Sequence, residues 1–259
     1  MKRLDFTIKK YEELCRSIVS AGYRTLTVKD YLLTSPSPNE SIIVLRHDVD
    51  RKPWNAFGMS VLERDLGLSS TYYFRYIPSV LKRELIKKIF EFNHEIGYHY
   101  ETLSKTKGRY EDAISLFQKE LSEFRNIVDI QTICMHGSPL SKWDNRSLWG
   151  KYDFRTFDII GEVYLSIDYS KMAYFTDTGR SWNSGRANIR DRVQGHENRK
   201  IKNTDQLITF IRSRQSRHIC IQTHPERWDS SLLDWVISDL RDSTANGVKM
   251  LISVTKRGK

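Results

Sequence analysis

The chain has 259 residues, a length that holds one large core and that β/α barrels reach as a single domain. Its 42 Lys and Arg against 32 Asp and Glu give a net charge of +10, but the cations are spread along the chain with no arginine-rich tract. That pattern fits a solvated basic surface better than a dedicated nucleic-acid footprint. Three widely spaced cysteines, Cys15, Cys134 and Cys220, suggest neither a disulfide framework nor a Cys-rich zinc site.

Phe6 to Ser20 carries apolar residues at a mostly 3.6-residue spacing and is followed by Gly22, which predicts an N-terminal helix. The early Asp5, Lys9 and Glu13 leave no apolar leader, and no later run approaches membrane-spanning length. The expectation is a soluble, cytoplasmic protein with one domain over 1–259. Tyr23 to Leu33 predicts a short strand and a brief helix, and Thr34 to Glu40 is a loop by composition.

Ser41 to Leu45 is an unbroken apolar run after its first residue, as a strand covered on both faces requires. It ends in Arg46-His-Asp-Val-Asp50, so polar chemistry gathers at a strand's carboxyl end, where open α/β sheets and barrels place their sites. Alternation along the strand puts Asp48 and Asp50 on one side and points His47 elsewhere.

A helix over Trp54 to Leu66, a strand over Ser70 to Tyr76, a helix over Ser79 to Asn93 and a strand over His94 to Tyr100 follow. The helix Arg109 to Asn126 and the strand Ile130 to Met135 complete four β/α alternations, which implies parallel strands. Ser138 to Val193 is irregular, with short strands expected near Ile159 and Ala173. The alternation returns with a helix over Asp205 to Arg214, a strand over Ile219 to Thr223, a helix over Ser230 to Ala245 and a final strand over Lys249 to Val254. The fold class is α/β, a distorted, partly open (β/α) barrel with about seven parallel strands.

Four strand ends finish in His or acidic residues: His47, Asp48 and Asp50; His99 and Glu101; His136; and His224. One such histidine is more often structural than functional, but a parallel barrel brings all four groups to one rim. His94, His196 and His218 have no comparable setting, and His94 reads as structural.

These residues resemble the polysaccharide deacetylase superfamily. The resemblance rests on His94-Glu-Ile-Gly-Tyr-His99, the Asp-bearing end of the first long strand, the segment ending in Trp182, and Thr223-His224-Pro225. It implies removal of an acyl group from an N-acylated sugar or glycoconjugate, with one divalent transition metal, zinc first and nickel, cobalt or iron as alternatives. Carried over by position, Asp48 resembles the catalytic base, Asp50 the metal aspartate, His99 the first metal histidine and His224 the general acid. Val49 stands between the aspartates, which leaves the base and ligand roles of Asp48 and Asp50 exchangeable.

Four residues beyond His99, where the family's second metal histidine stands, this chain has Leu103, which cannot bind a cation. Glu101, on the same side of the strand as His99, is the nearest replacement, and His136 is the second candidate. The substrate side is expected to draw on His47, His136, Ser138, Asp177, Arg180 and Trp182, where Trp182 is equally readable as a core residue. Arg46, Arg180, Arg186 and Arg190 suggest a phosphate, as on a nucleotide- or lipid-diphosphate-linked sugar. The set His136-Gly-Ser-Pro139 and Asp177-Thr-Gly-Arg-Ser-Trp182 looks like a divergent branch associated with surface-polysaccharide biosynthesis. Leu103 keeps two other readings open, a sugar-binding pseudoenzyme and a metal-free C–N hydrolase on the same fold.

Overall fold

In the computed structural model, which describes residues 4–138, 141–182, 193 and 201–255, the chain is organised on β2 (Ile42–Val49), all eight residues of which are buried. Helix α1 (Ile8–Ser20), N-capped by Thr7, precedes it, with β1 (Arg24–Leu26) and α2 (Val28–Thr34) between. After it come α3 (Pro53–Asp65), β3 (Thr71–Arg75), α4 (Arg83–Glu91), β4 (Glu95–Tyr100), the short α5 (Thr102–Lys105), α6 (Tyr110–Arg125) and β5 (Thr132–Met135). Two 3₁₀ turns, Asn145–Gly150 and Phe154–Phe157, lead to β6 (Gly161–Glu162) and α7 (Val163–Ser166). The last elements are β7 (Ala173–Thr176), α8 (Thr204–Ser213), β8 (His218–Thr223) and α9 (Leu232–Thr255).

The strands run in the order β6-β5-β4-β3-β2-β8-β7, with β1 beside the first half of β2. Every pairing is parallel, from Arg24 opposite Ile42 to Tyr174 opposite Cys220. The sheet curls into a half-barrel with helices around it, the partly open α/β barrel expected from the alternation. Among the described residues no helix is long and apolar enough to cross a membrane.

The period of two along each strand divides the core. Ile42 and Val44 of β2 point inward with Tyr73, Cys134, Tyr174 and Cys220. Ile43 and Leu45 point outward into a layer with Tyr11, Leu14 and Ile18 of α1 and Leu207 and Ile211 of α8. Ile96, Tyr98 and Tyr100 of β4 pack outward on Leu85, Ile86 and Ile89 of α4 and on Phe117 and Phe124 of α6. The same parity carried past the strand ends decides which polar residues reach the inner rim. Gly97 serves this inner layer: a Cβ there would lie 2.2 Å from the Tyr73 ring, whose hydroxyl shares a 2.8 Å hydrogen bond with Thr132 Oγ1.

The expected final strand over Lys249 to Val254 is not formed; α9 continues to Thr255. Asn246 and Gly247 look like a helix stop, but Asn246 Nδ2 donates to Gly179 O at 3.1 Å from within the helix, so the stop is overridden by a tertiary contact.

Candidate active site

Inward parity brings Arg46 and Asp48 of β2, His99 of β4, Cys134 of β5 and Gln222 of β8 onto one inner surface, with Asp50, Glu101, His136 and His224 just beyond the strand ends. The turn that follows Asp50 is tight. Lys52 adopts φ 47°, and Pro53, with its preset φ, starts α3. Lys52 Nζ holds this turn by reaching Asp229 Oδ1 at 2.6 Å and Ser238 Oγ at 2.8 Å.

Asp50 Oδ1 lies 3.4 Å from His99 Nε2 and 3.5 Å from His136 Nε2. It is buried and has no hydrogen-bond partner among the described residues. The far nitrogens of both imidazoles are fixed. His99 Nδ1 donates to Cys134 O at 3.0 Å, and His136 Nδ1 faces Glu101 Oε2 at 2.9 Å. Because a carbonyl and a carboxylate only accept, each Nδ1 carries a proton, and each Nε2 is the nitrogen directed at Asp50, able to offer a lone pair to a cation once it carries no proton. Burial opposes ionisation of Asp50, but His136 and His99 outweigh it and hold the carboxyl well below its ordinary range. Burial likewise pushes His136 down, while Asp50 and Glu101 lift it to about 9.

The three donors Asp50, His99 and His136 match a carboxylate and imidazole set for a divalent transition metal, each imidazole oriented from behind. A different group, Asp48, His99 and Cys134, places its ligand atoms within 4.8 Å of one another, whereas in the first set the close contacts are the two made by Asp50 Oδ1. There Arg46 Nη1 already donates to Asp48 Oδ1 at 2.9 Å and contacts Cys134 Sγ at 3.2 Å, so a cation would sit against a guanidinium. Coulomb repulsion favours the Asp50 set.

Glu101 is placed behind His136. Its carboxylate takes Arg75 Nη2 at 2.8 and 2.9 Å as well as His136 Nδ1, and although burial opposes it, His136 and Arg75 hold it at about 2. Ser138, at φ 38°, turns its Oγ back to 3.0 Å from His136 Nδ1. Leu103 is buried in the outer core of α5 and α6, and the imidazole that stands near Asp50 besides His99 is His136, at the end of β5.

Asp48 is deeper than Asp50 and nearly fully buried. Arg46 fixes its Oδ1, Gln222 Nε2 donates to Oδ2 at 2.6 Å, and Oδ2 lies 3.9 Å from His99 Nε2. His224 Nδ1 bonds Asp177 Oδ1 at 2.6 Å. Asp177 also accepts from the His224 amide, Arg227 Nη1 and Trp228 Nε1 at 2.8–2.9 Å. Burial opposes the charge on Asp177, but Arg227 and His224 hold it at about 2; for His224, burial and Arg227 are outweighed by Asp177 and its pKa is raised.

Three residues expected on the substrate side are packed into the interior. His47 takes the outward parity and is fully buried, its Nδ1 2.6 Å from Thr223 Oγ1, its Nε2 2.9 Å from Glu63 Oε1 and its ring 4.3 Å from that of Tyr72. Trp182 is a core residue that donates to Thr204 Oγ1 at 2.9 Å and packs on Phe6 and Trp228. Arg180 is buried on Asp242 at 3.0 Å and Asp229 at 3.5 Å. Arg46 is likewise buried, so neither is open to a phosphate. Pro139, Arg186, Arg190 and His196 lie outside the described residues. The reading of His94 as structural agrees with its burial between Ser70 Oγ and Ser60 O, each at 3.0 Å.

Sequence reasoning missed Gln222, Arg227 and Glu226. Gln222 was findable, being two residues before His224 on a buried strand and so on the same side. Glu226, almost fully buried, has Oε1 3.3 Å from Arg51 Nη2 and is pushed up by burial and by the charge of Asp50.

No family model and no curated protein matches this chain. Several solved structures resemble it at low identity. The Xyl-CE4 domain of a multidomain xylanase from the hindgut metagenome of Trinervitermes trinervoides is 14% identical over 85% of each chain, with a TM-score of 0.40. The family 4 carbohydrate esterase from Streptomyces lividans in complex with acetate is 13% identical over 82% of this chain and 91% of that one, TM-score 0.40. A CE4 family pseudoenzyme from Bacillus anthracis is 14% identical over 82% of this chain and 62% of that one, TM-score 0.41.

Proposed function

We propose that this chain is a metal-dependent hydrolase of the polysaccharide deacetylase superfamily. It removes an acyl group, acetyl first, from the nitrogen of a sugar or glycoconjugate in surface-polysaccharide biosynthesis. The observation that carries the reading is Asp50 Oδ1, buried without a hydrogen-bond partner between two imidazole nitrogens whose opposite nitrogens are already committed. Asp50, His99 and His136 hold the cation, with zinc first by the mixed imidazole and carboxylate set and nickel, cobalt or iron as alternatives. Such a cation supplies Lewis-acid polarisation of the acyl carbonyl.

The rest is done by this chain's residues. Asp48, oriented by Arg46 and Gln222, takes the proton of the attacking water. His224, protonated with Asp177 behind it, presents Nε2 to the leaving nitrogen and gives up its proton as the C–N bond breaks. Glu101 keeps His136 in place from the side away from Asp50. The three free cysteines, all buried, suit a reducing compartment, and the protein is assigned to the cytoplasm.

The test is acetate release from N-acetylated sugar nucleotides and glycolipids by zinc-loaded protein. Asp48→Asn and His224→Ala should each lower the rate by about 10² or more. Turnover unchanged in both variants would remove the mechanism.

A further inference from the structure

Three arginines, each from beyond a different strand end, converge on one carboxylate of α9. Arg180 Nε, after β7, donates to Asp242 Oδ2 at 3.0 Å; Arg51 Nη2, after β2, stands 3.6 Å from Oδ1; Arg227 Nε, after β8, stands 3.7 Å from Oδ2. Asp242, Arg180 and Arg227 are all buried.

Arg227 is divided between two acids. Its Nη1 donates to Asp177 Oδ1 at 2.8 Å, while its buried Nε has no hydrogen-bond partner among the described residues and lies in ion-pair range of Asp242. Asp177 in turn holds His224 Nδ1 at 2.6 Å. Charges therefore alternate in a line from the helix to the imidazole: Asp242, Arg227, Asp177, His224. Buried as they are, they are poorly screened, and each is felt beyond its immediate neighbour. With Asp242 present, the Arg227 guanidinium is shared; without it, the guanidinium acts on Asp177 and His224 alone.

We propose that Asp242 is a positioning residue for His224: by sharing Arg227 with Asp177, it leaves the Asp177 carboxylate its charge to support a proton on the imidazole. That this is the proton given to the leaving nitrogen rests on the hydrolase reading; the coupling itself does not. Other charged groups surround the pair. Glu226 and Arg227 come from the turn of His224 itself, Arg180 from beyond β7, Asp50, Arg51 and Lys52 from between β2 and α3, and Asp229 from the segment before α9. Burial and then Arg227 press His224 down, and Asp177 and Glu226 raise it on balance. Loss of the Asp242 charge leaves Arg227 less compensated, so His224 should give up its proton at a lower pH.

The test is the titration of the His224 ring in the full chain, followed by proton–nitrogen correlation spectra at one zinc concentration and assigned by its absence in His224→Ala. In Asp242→Asn the ring should titrate at lower pH than in the unaltered chain, and Asp242→Glu should recover most of that shift. Ser238→Ala cuts the helix's hydrogen bond to Lys52 but leaves every charge in place, and should not move it. Arg51→Gln takes a cation from Asp242 at a side chain that is 36% exposed, and should move the titration to higher pH. His224 unmoved in folded Asp242→Asn, or an equal shift in Ser238→Ala, would overturn the proposal. If Asp242→Asn does not fold, the absence of an upward shift in Arg51→Gln overturns it instead. The alkaline limb of the kcat profile for acetate release should follow the same shifts with KM kept. Ring shifts as expected with no turnover in any of the proteins would support the coupling and remove only the hydrolase reading; turnover in the unaltered chain with His224 unmoved in the variants would do the reverse.

Discussion

His136 Nε2 stands 3.5 Å from Asp50 Oδ1, while the position four residues beyond His99, where the resemblance places a histidine, is filled by the buried Leu103. The imidazole that joins His99 beside Asp50 comes from the end of β5. The carboxylate of Glu101, held by Arg75, keeps the ring turned toward Asp50.

Glu101→Gln should therefore weaken zinc binding by about tenfold or more without abolishing it, because it loosens the orientation of a ligand and removes none. Competition with a chromophoric chelator reads this directly. Complete loss of zinc would mean that Glu101 itself is a ligand.

Asp177 is held at about 2 against an ordinary 3.8. Its folded pKa lies below the unfolded one, so its contribution is present above about pH 4 and is lost as pH falls toward 2. The difference amounts to about 2 kcal/mol. Denaturant melts should show Asp177→Asn losing at least this at pH 7, with a flatter slope between pH 4 and 2 than the unaltered chain. An unchanged slope would show that the Arg227 and His224 contacts are not kept in solution.

The curled sheet and the convergence of strand ends were legible because both follow from parity and from apolar runs. Asp48, Asp50, His99 and His136 share the inward parity, and the same rule sends His47 outward into the layer under α1. Trp182 and Arg180 were harder. They follow β7 in a segment without periodicity, where an aromatic reads equally as core or wall, and only the packing on Phe6 and the pairing with Asp242 decide. The end of α9 was misread because Val248 to Val254 has the β-branched content of a strand, and the contact from Asn246 to Gly179 has no local signal.

His47→Ala should destabilise the fold by about 3 kcal/mol, since it removes a partner from the buried carboxylate of Glu63, which also accepts from Tyr72 and Ser70 at 2.6–2.7 Å. Zinc content should be unaffected. Loss of zinc with an unchanged melting curve would return His47 to the site.

Trp182→Ala should cost about 3–5 kcal/mol by emptying a core position against Phe6 and Trp228. Trp182→Phe should recover most of that and leave KM unchanged. A raised KM in the Phe variant at full stability would make Trp182 a substrate wall.

Asp50, His99 and His136 should hold one cation, which elemental analysis of the untagged chain beside His136→Ala and Cys134→Ser, each checked for folding, reads out. About one transition metal per chain is expected, kept in Cys134→Ser and lost in His136→Ala. Metal kept in His136→Ala but lost in Cys134→Ser would place the ion at Asp48, His99 and Cys134 instead. No metal in any of the three proteins after zinc, nickel or cobalt loading would mean that Asp50, His99 and His136 hold no cation.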